Sequence, residues 1–296
     1  MTFVPGPVTI TVPATSANLG PGFDCLGLAL ELRDELTAEV GGTGLAIEVT
    51  GEGADTVPRD PTHLVARAMD AAFGQMGVRT PSLRLSCTNR IPHARGLGSS
   101  SAAIVGGIAL ARALVEDGPA RLDVGATIAL ATAIEGHPDN VAPALLGGLV
   151  VCGQTEDDVW ADQALIDPCV RAVAFLPPSG LSTEVARGLL PDTVPYRDAA
   201  ANTGRAALLV AALATAPERL LRATEDFLHQ EYRRAAMPDS LDLVDRLRAD
   251  GHAAVVSGAG PTVLVLLADD ADLTSYTPEG WEHRALPVAP AGVRVG

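Results

Sequence analysis

Lysine is absent: all 21 basic residues of the chain are arginines. That omission excludes P-loop nucleotide sites, which need a lysine on the phosphates, protein kinases, which need one on a strand, and Schiff-base enzymes, which need its amine. An anionic ligand must instead be held by backbone, metal and selected arginines. A formal charge of −15 and a pI near 4.7 argue against binding nucleic acid or an anionic membrane through any broad surface. Aromatic residues make up only 3%, so a core must be built from Ala, Val, Leu and Ile. The four cysteines, Cys25, Cys87, Cys152 and Cys169, form no C-x-x-C pair and no disulfide or zinc framework; each is expected to be a buried free thiol. The longest apolar runs, 141–152 and 253–268, are broken by Gly, Pro or Ser and fall short of the roughly 18 residues of a membrane span. No basic segment precedes Pro5 and Pro7, so no signal peptide is expected and a reducing cytoplasm is the natural setting.

What is present is globular: 296 residues, 47% hydrophobic and 19% charged. Single cores rarely grow past roughly 250 residues, so two closely packed units are expected, 1–167 and 168–296. Strands are expected over 8–12, 26–32, 45–49, 83–87, 147–152, 170–176, 253–257, 262–267 and 282–288. Helices are expected over 61–76, 104–115, 123–134, 199–214, 217–232 and 240–250. Residues 156–162 read as a surface turn and hairpin return.

Chemistry concentrates in residues 91–103. Gly96 and Gly98 can take positive φ and bring backbone close to a ligand, and the following helix offers its N–H groups and positive dipole end to phosphate. Ser99, Ser100 and Ser101 supply hydroxyls that either cap that helix or reach a metal ion. Three other stretches hold polar side chains between apolar segments. Residues 13–24 read as a loop between two strands, with Asn18 and Asp24 either functional or forming Asx-turns. The cluster Glu135-Gly136-His137-Pro138-Asp139-Asn140 crowds four functional side chains into one turn; Glu135, a carboxylate in apolar sequence, needs a partner, while Asp139 could simply cap a helix over 141–146. Thr183 and Arg187 lie one helical turn apart on a common face. Arg233 closes the helix expected over 217–232, where it could merely complement the helix dipole.

Residues 13–27, 92–103 and 257–266 together resemble the three signature motifs of the GHMP small-molecule kinases, and their order and spacing span nearly the whole chain. The resemblance implies an α+β, two-domain fold, the N-terminal half like ribosomal protein S5 domain 2 and the C-terminal half ferredoxin-like. It also implies an ATP- and Mg²⁺-dependent phosphotransferase and a homodimer. The loop Ala14-Thr15-Ser16-Ala17-Asn18-Leu19-Gly20-Pro21-Gly22-Phe23-Asp24, the turn 135–143, and the segments 181–187 and 229–233 resemble those of family members that phosphorylate L-homoserine on the way to threonine.

By that resemblance ATP lies on Pro92, His93, Ala94, Arg95, Gly96, Leu97, Gly98, Ser99, Ser100, Ser101 and Ala102, with Mg²⁺ on Ser100 and Glu135. The acceptor contacts Asn18, Asp24, His137, Asn140, Thr183, Arg187 and Arg233: the arginines clamp its carboxylate, Asp24 with Asn18 takes its ammonium, and Asn140 orients its hydroxyl. Where many relatives place Asn near the adenine, this chain has His63. A loose transition state needs little deprotonation of the nucleophile, so Asn140, Glu135 and Ser100 suffice as the catalytic set; Asp139 stays open as a base. Another small hydroxylated acid, such as mevalonate or shikimate, and a non-catalytic nucleotide binder are the alternatives.

Overall fold

Alternation builds the first sheet. In β1 (Val8–Asn18) Val8, Ile10 and Val12 are buried while Thr9 and Thr11 are partly exposed, and the strand pairs antiparallel along β2 (Gly22–Val40). On its other edge β2 pairs with β4 (Leu83–Asn89) through Glu35 to Val40 and with β5 (Leu149–Gln154) through Leu26 to Leu28. Beyond these lie β3 (Leu45–Gly51), parallel to β4, and β6 (Val159–Ala164), antiparallel to β5. The C-terminal β11 (Arg294–Val295) returns to pair with β1. The described residues are 2–296 of a computed structural model; residue 1, the first of the expected N-terminal unit, lies outside them.

Helices α1 (Leu64–Gln75), α2 (Ser99–Leu114), α4 (Val124–Glu135) and α5 (Pro138–Leu146), with the single turn α3 (Gly118–Arg121), belong to this half. α2 is built of small residues, so α1 approaches it closely: a Cβ on Gly107 would come within 2.5 Å of the Val65 carbonyl. The core is aliphatic, as the scarcity of aromatics requires.

The second sheet is antiparallel in the order β10 (Glu282–Leu286), β7 (Arg171–Leu176), β9 (Val263–Leu267), β8 (Ala253–Val256). β8 and β9 are buried along their whole length, which explains their unbroken apolar sequence. Around it lie α6 (Thr183–Gly188), α7 (Tyr196–Thr215), α8 (Leu220–Ala223) and α9 (Pro238–Ala249).

Three expectations need correction. The loop over 13–24 is a β-hairpin: β1 runs on to Asn18 and β2 starts at Gly22. Pro13, which suggested a loop, sits at a register shift in the β1–β2 ladder, the place where a strand tolerates proline. The helix over 217–232 is only a 3₁₀ turn and α8, followed by an irregular turn and a second 3₁₀ segment, Glu231–Ala236. There the Asp226 carboxylate accepts from the backbone N–H of Leu228, His229 and Gln230 and ends the helix. The surface turn and hairpin return expected over 156–162 are the β5–β6 hairpin. Cys169 is exposed in the connection between the sheets, although all four thiols are free as expected. Among the described residues no helix is long and apolar enough to cross a membrane.

Candidate active site

The three stretches singled out in the sequence touch one another. Gly96 and Gly98 have φ of 72° and 67°. At Gly96 a Cβ would fall 2.2 Å from the Ser257 carbonyl oxygen, so only glycine fits there. Ser257 Oγ in turn donates to the Gly96 carbonyl (2.6 Å) and lies 2.8 Å from Ser16 Oγ. The Gly258 N–H donates to Ala17 O, and Thr15 N–H to Leu97 O. Residues from opposite ends of the chain thereby lock the glycine loop in place.

Gly98, not a serine, is the N-cap of α2. Of the hydroxyls expected either to cap that helix or to reach a metal, Ser100 Oγ and Ser101 Oγ both donate to Glu135 Oε1, at 2.6 and 2.8 Å. Glu135, the last residue of α4, thus has the partner its apolar surroundings demanded. Asp139 does not cap a helix either. It lies inside α5, is 1% exposed, and faces His137 Nδ1 at 2.5 Å. Burial alone would lower the His137 pKa, but the hydrogen bond and charge of Asp139 outweigh it and hold the imidazole above its ordinary value. Asn140 Oδ1 accepts from Thr15 Oγ1 at 2.7 Å, and the same oxygen stands 3.1 Å from where a Gly98 Cβ would be.

A cavity of about 250 Å³ joins these groups to the second half. Its wall includes Asn18, Ala94, Arg95, Gly96, Gly98, Ser99, Ser100, Glu135, His137, Asn140, Thr183, Arg187 and Arg233. Next to it, sharing Ser99 and Ser100, is a more apolar pocket of about 310 Å³ lined by Leu36, Val57, Pro58, Leu64, Val65 and His63. His63 is buried with Nδ1 unpartnered, and burial lowers its pKa. Leu97 and Ala102 belong to the core, so their side chains face away from both pockets. Pro92 and His93 flank the loop on the side of Leu176 and Pro177. The Arg95 guanidinium is spent on the carbonyls of His93, Pro177 and Pro178.

The polar groups expected to hold an acceptor already bind one another. Arg187 makes a bidentate pair with Asp24, Nη2 to Oδ1 at 2.6 Å and Nη1 to Oδ2 at 3.1 Å. Asp24 is not on the cavity wall. Asn18 accepts from the Asp24 N–H and donates to the Gly258 carbonyl. Arg233 does not end a helix; it is 1% exposed, with Nε donating to Ala186 O and Nη1 to Gly258 O and His229 Nδ1. Its Nη2 has no protein acceptor among the described residues. His229 Nε2 meets the Gly20 carbonyl (2.8 Å); burial lowers the His229 pKa, so Nε2–H donates and Nδ1 accepts. The Phe23 ring lies under both guanidiniums, 5.6 Å from Arg187 and 5.7 Å from Arg233. Sequence reasoning assigned no individual role to Thr15, Phe23 or His229, although each lies in a stretch that resembles a family motif; the contacts of Thr15 with Asn140 and of His229 with Gly20 are long-range, and no local pattern announces them.

A glycine-rich anion loop on a helix N-terminus, a serine–glutamate pair beside it and an arginine-bearing cavity across from it define a phosphotransferase of the GHMP class. Residues 63–148 match the GHMP kinases N terminal domain and residues 207–275 the GHMP kinases C terminal domain. Among curated proteins, the chain is 53% identical over 291 residues to a homoserine kinase of Streptomyces avermitilis, covering 97% of this chain and 95% of that one. It is 56% identical over 266 residues to a homoserine kinase of Streptomyces coelicolor, with 90% and 86% covered. The chain belongs to the homoserine kinase family of GHMP kinases. The fold agrees: a homoserine kinase crystal structure from Cytophaga hutchinsonii superposes with a TM-score of 0.87 at 23% identity, covering 98% and 97% of the two chains.

Proposed function

We propose that the protein transfers the γ-phosphoryl group of ATP to the hydroxyl of L-homoserine, giving O-phospho-L-homoserine for threonine biosynthesis. The observation that carries this is that one cavity holds the glycine loop, the Ser100–Glu135 pair, Asn140, Arg187 and Arg233. The triphosphate sits on the loop from residue 92 to 102, against backbone N–H groups and the α2 N-terminus, with the nucleoside in the apolar pocket beside Ser99.

Ser100 Oγ and Glu135 fit Mg²⁺: they are hard oxygen donors 2.6 Å apart, and Glu135 Oε2 has no protein partner among the described residues. When bound, the ion supplies the charge neutralisation that a lysine supplies elsewhere. Arg233 through Nη2, together with Arg187, binds the acceptor carboxylate; Asp24 and Asn18 receive the ammonium; Thr183 lies on the same wall. Asn140, oriented by Thr15, positions the hydroxyl in line with the γ-phosphorus. Asp139 is committed to His137 and fixes that ring against the substrate rather than acting as a strong base. A mevalonate- or shikimate-type acid would use the arginines and leave Asp24 without a cation. Four free thiols suit the cytoplasm, and a homodimer, the assembly implied by the family, is checked by sedimentation.

The experiment is ADP release with Mg-ATP across L-homoserine, mevalonate, galactose and shikimate. L-Homoserine is expected to give by far the highest kcat/KM; equal or better turnover of another alcohol overturns the reading.

A further inference from the structure

The acceptor end carries a contradiction that chemistry can resolve. Arg187 from α6 and Asp24 from the β1–β2 hairpin, 163 residues apart, satisfy each other through two hydrogen bonds. A bidentate guanidinium–carboxylate pair uses both oxygens of the anion and two nitrogens of the cation. The two groups read as recognising the charges of a zwitterion therefore already offset each other's charge while they hold each other.

The two partners are anchored differently. Asp24 has a φ of 56°, and its N–H is fixed on Asn18 Oδ1, which is itself pinned through Nδ2 to Gly258 O. Arg187 stands near the end of a six-residue helix whose residues are mostly exposed or half-exposed. Arg233 is locked by three hydrogen bonds and full burial. When the pair parts, it is Arg187 that moves.

We propose that the Asp24–Arg187 pair is a charge latch, which makes the acceptor site select ligands that carry both an anion and a cation. This rests on the acceptor reading given above. A ligand with only a carboxylate must draw Arg187 from Asp24 and leaves that carboxylate unpaired. A ligand with only an ammonium leaves Arg187 unpaired. An unpaired charge in a partly desolvated site is costly. A zwitterion replaces both halves of the broken pair, so its two charged groups together are worth more than the sum of each alone. Selectivity against singly charged alcohols thus lies in the protein's own pair as well as in the contacts the ligand gains.

The test compares L-homoserine with 4-hydroxybutyrate, which lacks the ammonium, and 3-aminopropan-1-ol, which lacks the carboxylate, by calorimetric binding to the full chain loaded with a non-hydrolysable Mg-ATP analogue. In Asp24→Asn, homoserine should bind about tenfold or more weakly. 4-Hydroxybutyrate should bind about tenfold more tightly than to wild type, because Arg187 is freed. Asparagine accepts the positive φ at this position, and unchanged analogue affinity reports an intact nucleotide site. If homoserine weakens but 4-hydroxybutyrate binds no tighter, the latch is overturned and the acceptor reading stands. If homoserine is unaffected, the acceptor reading itself fails. A second measurement needs no variant: in wild type the two half-ligands should each tighten the other's binding, because whichever arrives first opens the pair. Independent binding of the two overturns the latch.

Discussion

Glu135 is the residue on which the phosphate end depends most, and Glu135→Gln isolates its charge. The substitution keeps a carbonyl oxygen where Oε1 accepts from Ser100 and Ser101, so the link between α4 and the first turn of α2 survives. What is lost is charge assistance in two hydrogen bonds, roughly 1 kcal/mol each if fully buried. Ser100 is exposed and Glu135 only half-buried, so solvent screening reduces the sum to about 1 kcal/mol, a fall in Tm of about 2 °C. The catalytic cost is of another size. Removing one preorganised group from a site where charge develops typically costs about 2.7–4 kcal/mol, or 10²–10³ in kcat. Glu135→Gln should therefore lose at least a hundredfold in kcat, need more Mg²⁺ for half-maximal rate, and keep the homoserine KM. Coupled ADP release at varied Mg²⁺, beside a thermal melt, reads all three quantities. A kcat within about threefold of wild type, with an unchanged Mg²⁺ requirement, refutes the metal role of Glu135.

Arg233→Lys keeps a cation but removes the planar fork that reaches Ala186 and Gly258 together; steady-state kinetics should show the homoserine KM raised about tenfold or more, and a wild-type KM would take Arg233 out of the acceptor site. Thr15→Val deletes the donor that orients Asn140 Oδ1; kcat should fall about tenfold with the ATP KM nearly unchanged, whereas an unaltered kcat means Asn140 needs no such support. Because Asp139 holds the His137 pKa above its ordinary 6.5, the pair's contribution to stability is complete below about that pH and is lost as pH rises through the higher folded-state value. The stability gap between wild type and His137→Gln in urea melts should thus be wider at about pH 5.5 than at about pH 9, and equal gaps would contradict this assignment.

Local chemistry was legible and long-range pairing was not. The glycine loop, the helix after it and the need of Glu135 for a partner all follow from short stretches of sequence, because positive φ, a helix start and a carboxylate in apolar surroundings are local constraints. The extended β1–β2 hairpin was hidden by its own turn formers. Pro13 and Gly22 read as loop residues until the register shift and the tight return at Gly20 are seen, where a Cβ would lie 2.5 Å from the Thr224 carbonyl. The end of α8 was hidden because Asp226 stops the helix with its side chain, not with glycine or proline. Asp24, Arg187 and Arg233 were each legible as chemistry. That Asp24 and Arg187 neutralise one another depends on bringing the hairpin tip onto α6, which no periodicity encodes.

The absence of lysine gains a second meaning from Arg233. Burial, with the neighbouring charge of Arg187, pushes the Arg233 pKa down to about 10. A guanidinium so perturbed is still fully charged at neutral pH. A lysine ammonium starts about two units lower, and the same burial and neighbouring charge would push it further down, toward neutral pH. In such a site a lysine would lose its charge at a lower pH than arginine does. Arg233→Lys should therefore do more than raise the homoserine KM: that KM should climb further between about pH 7 and about pH 9 in the variant while staying flat in wild type. Arginine thus stays a cation, wholly buried at this position, over a wider pH range than lysine would, with His229 kept neutral beside it to accept its hydrogen bond.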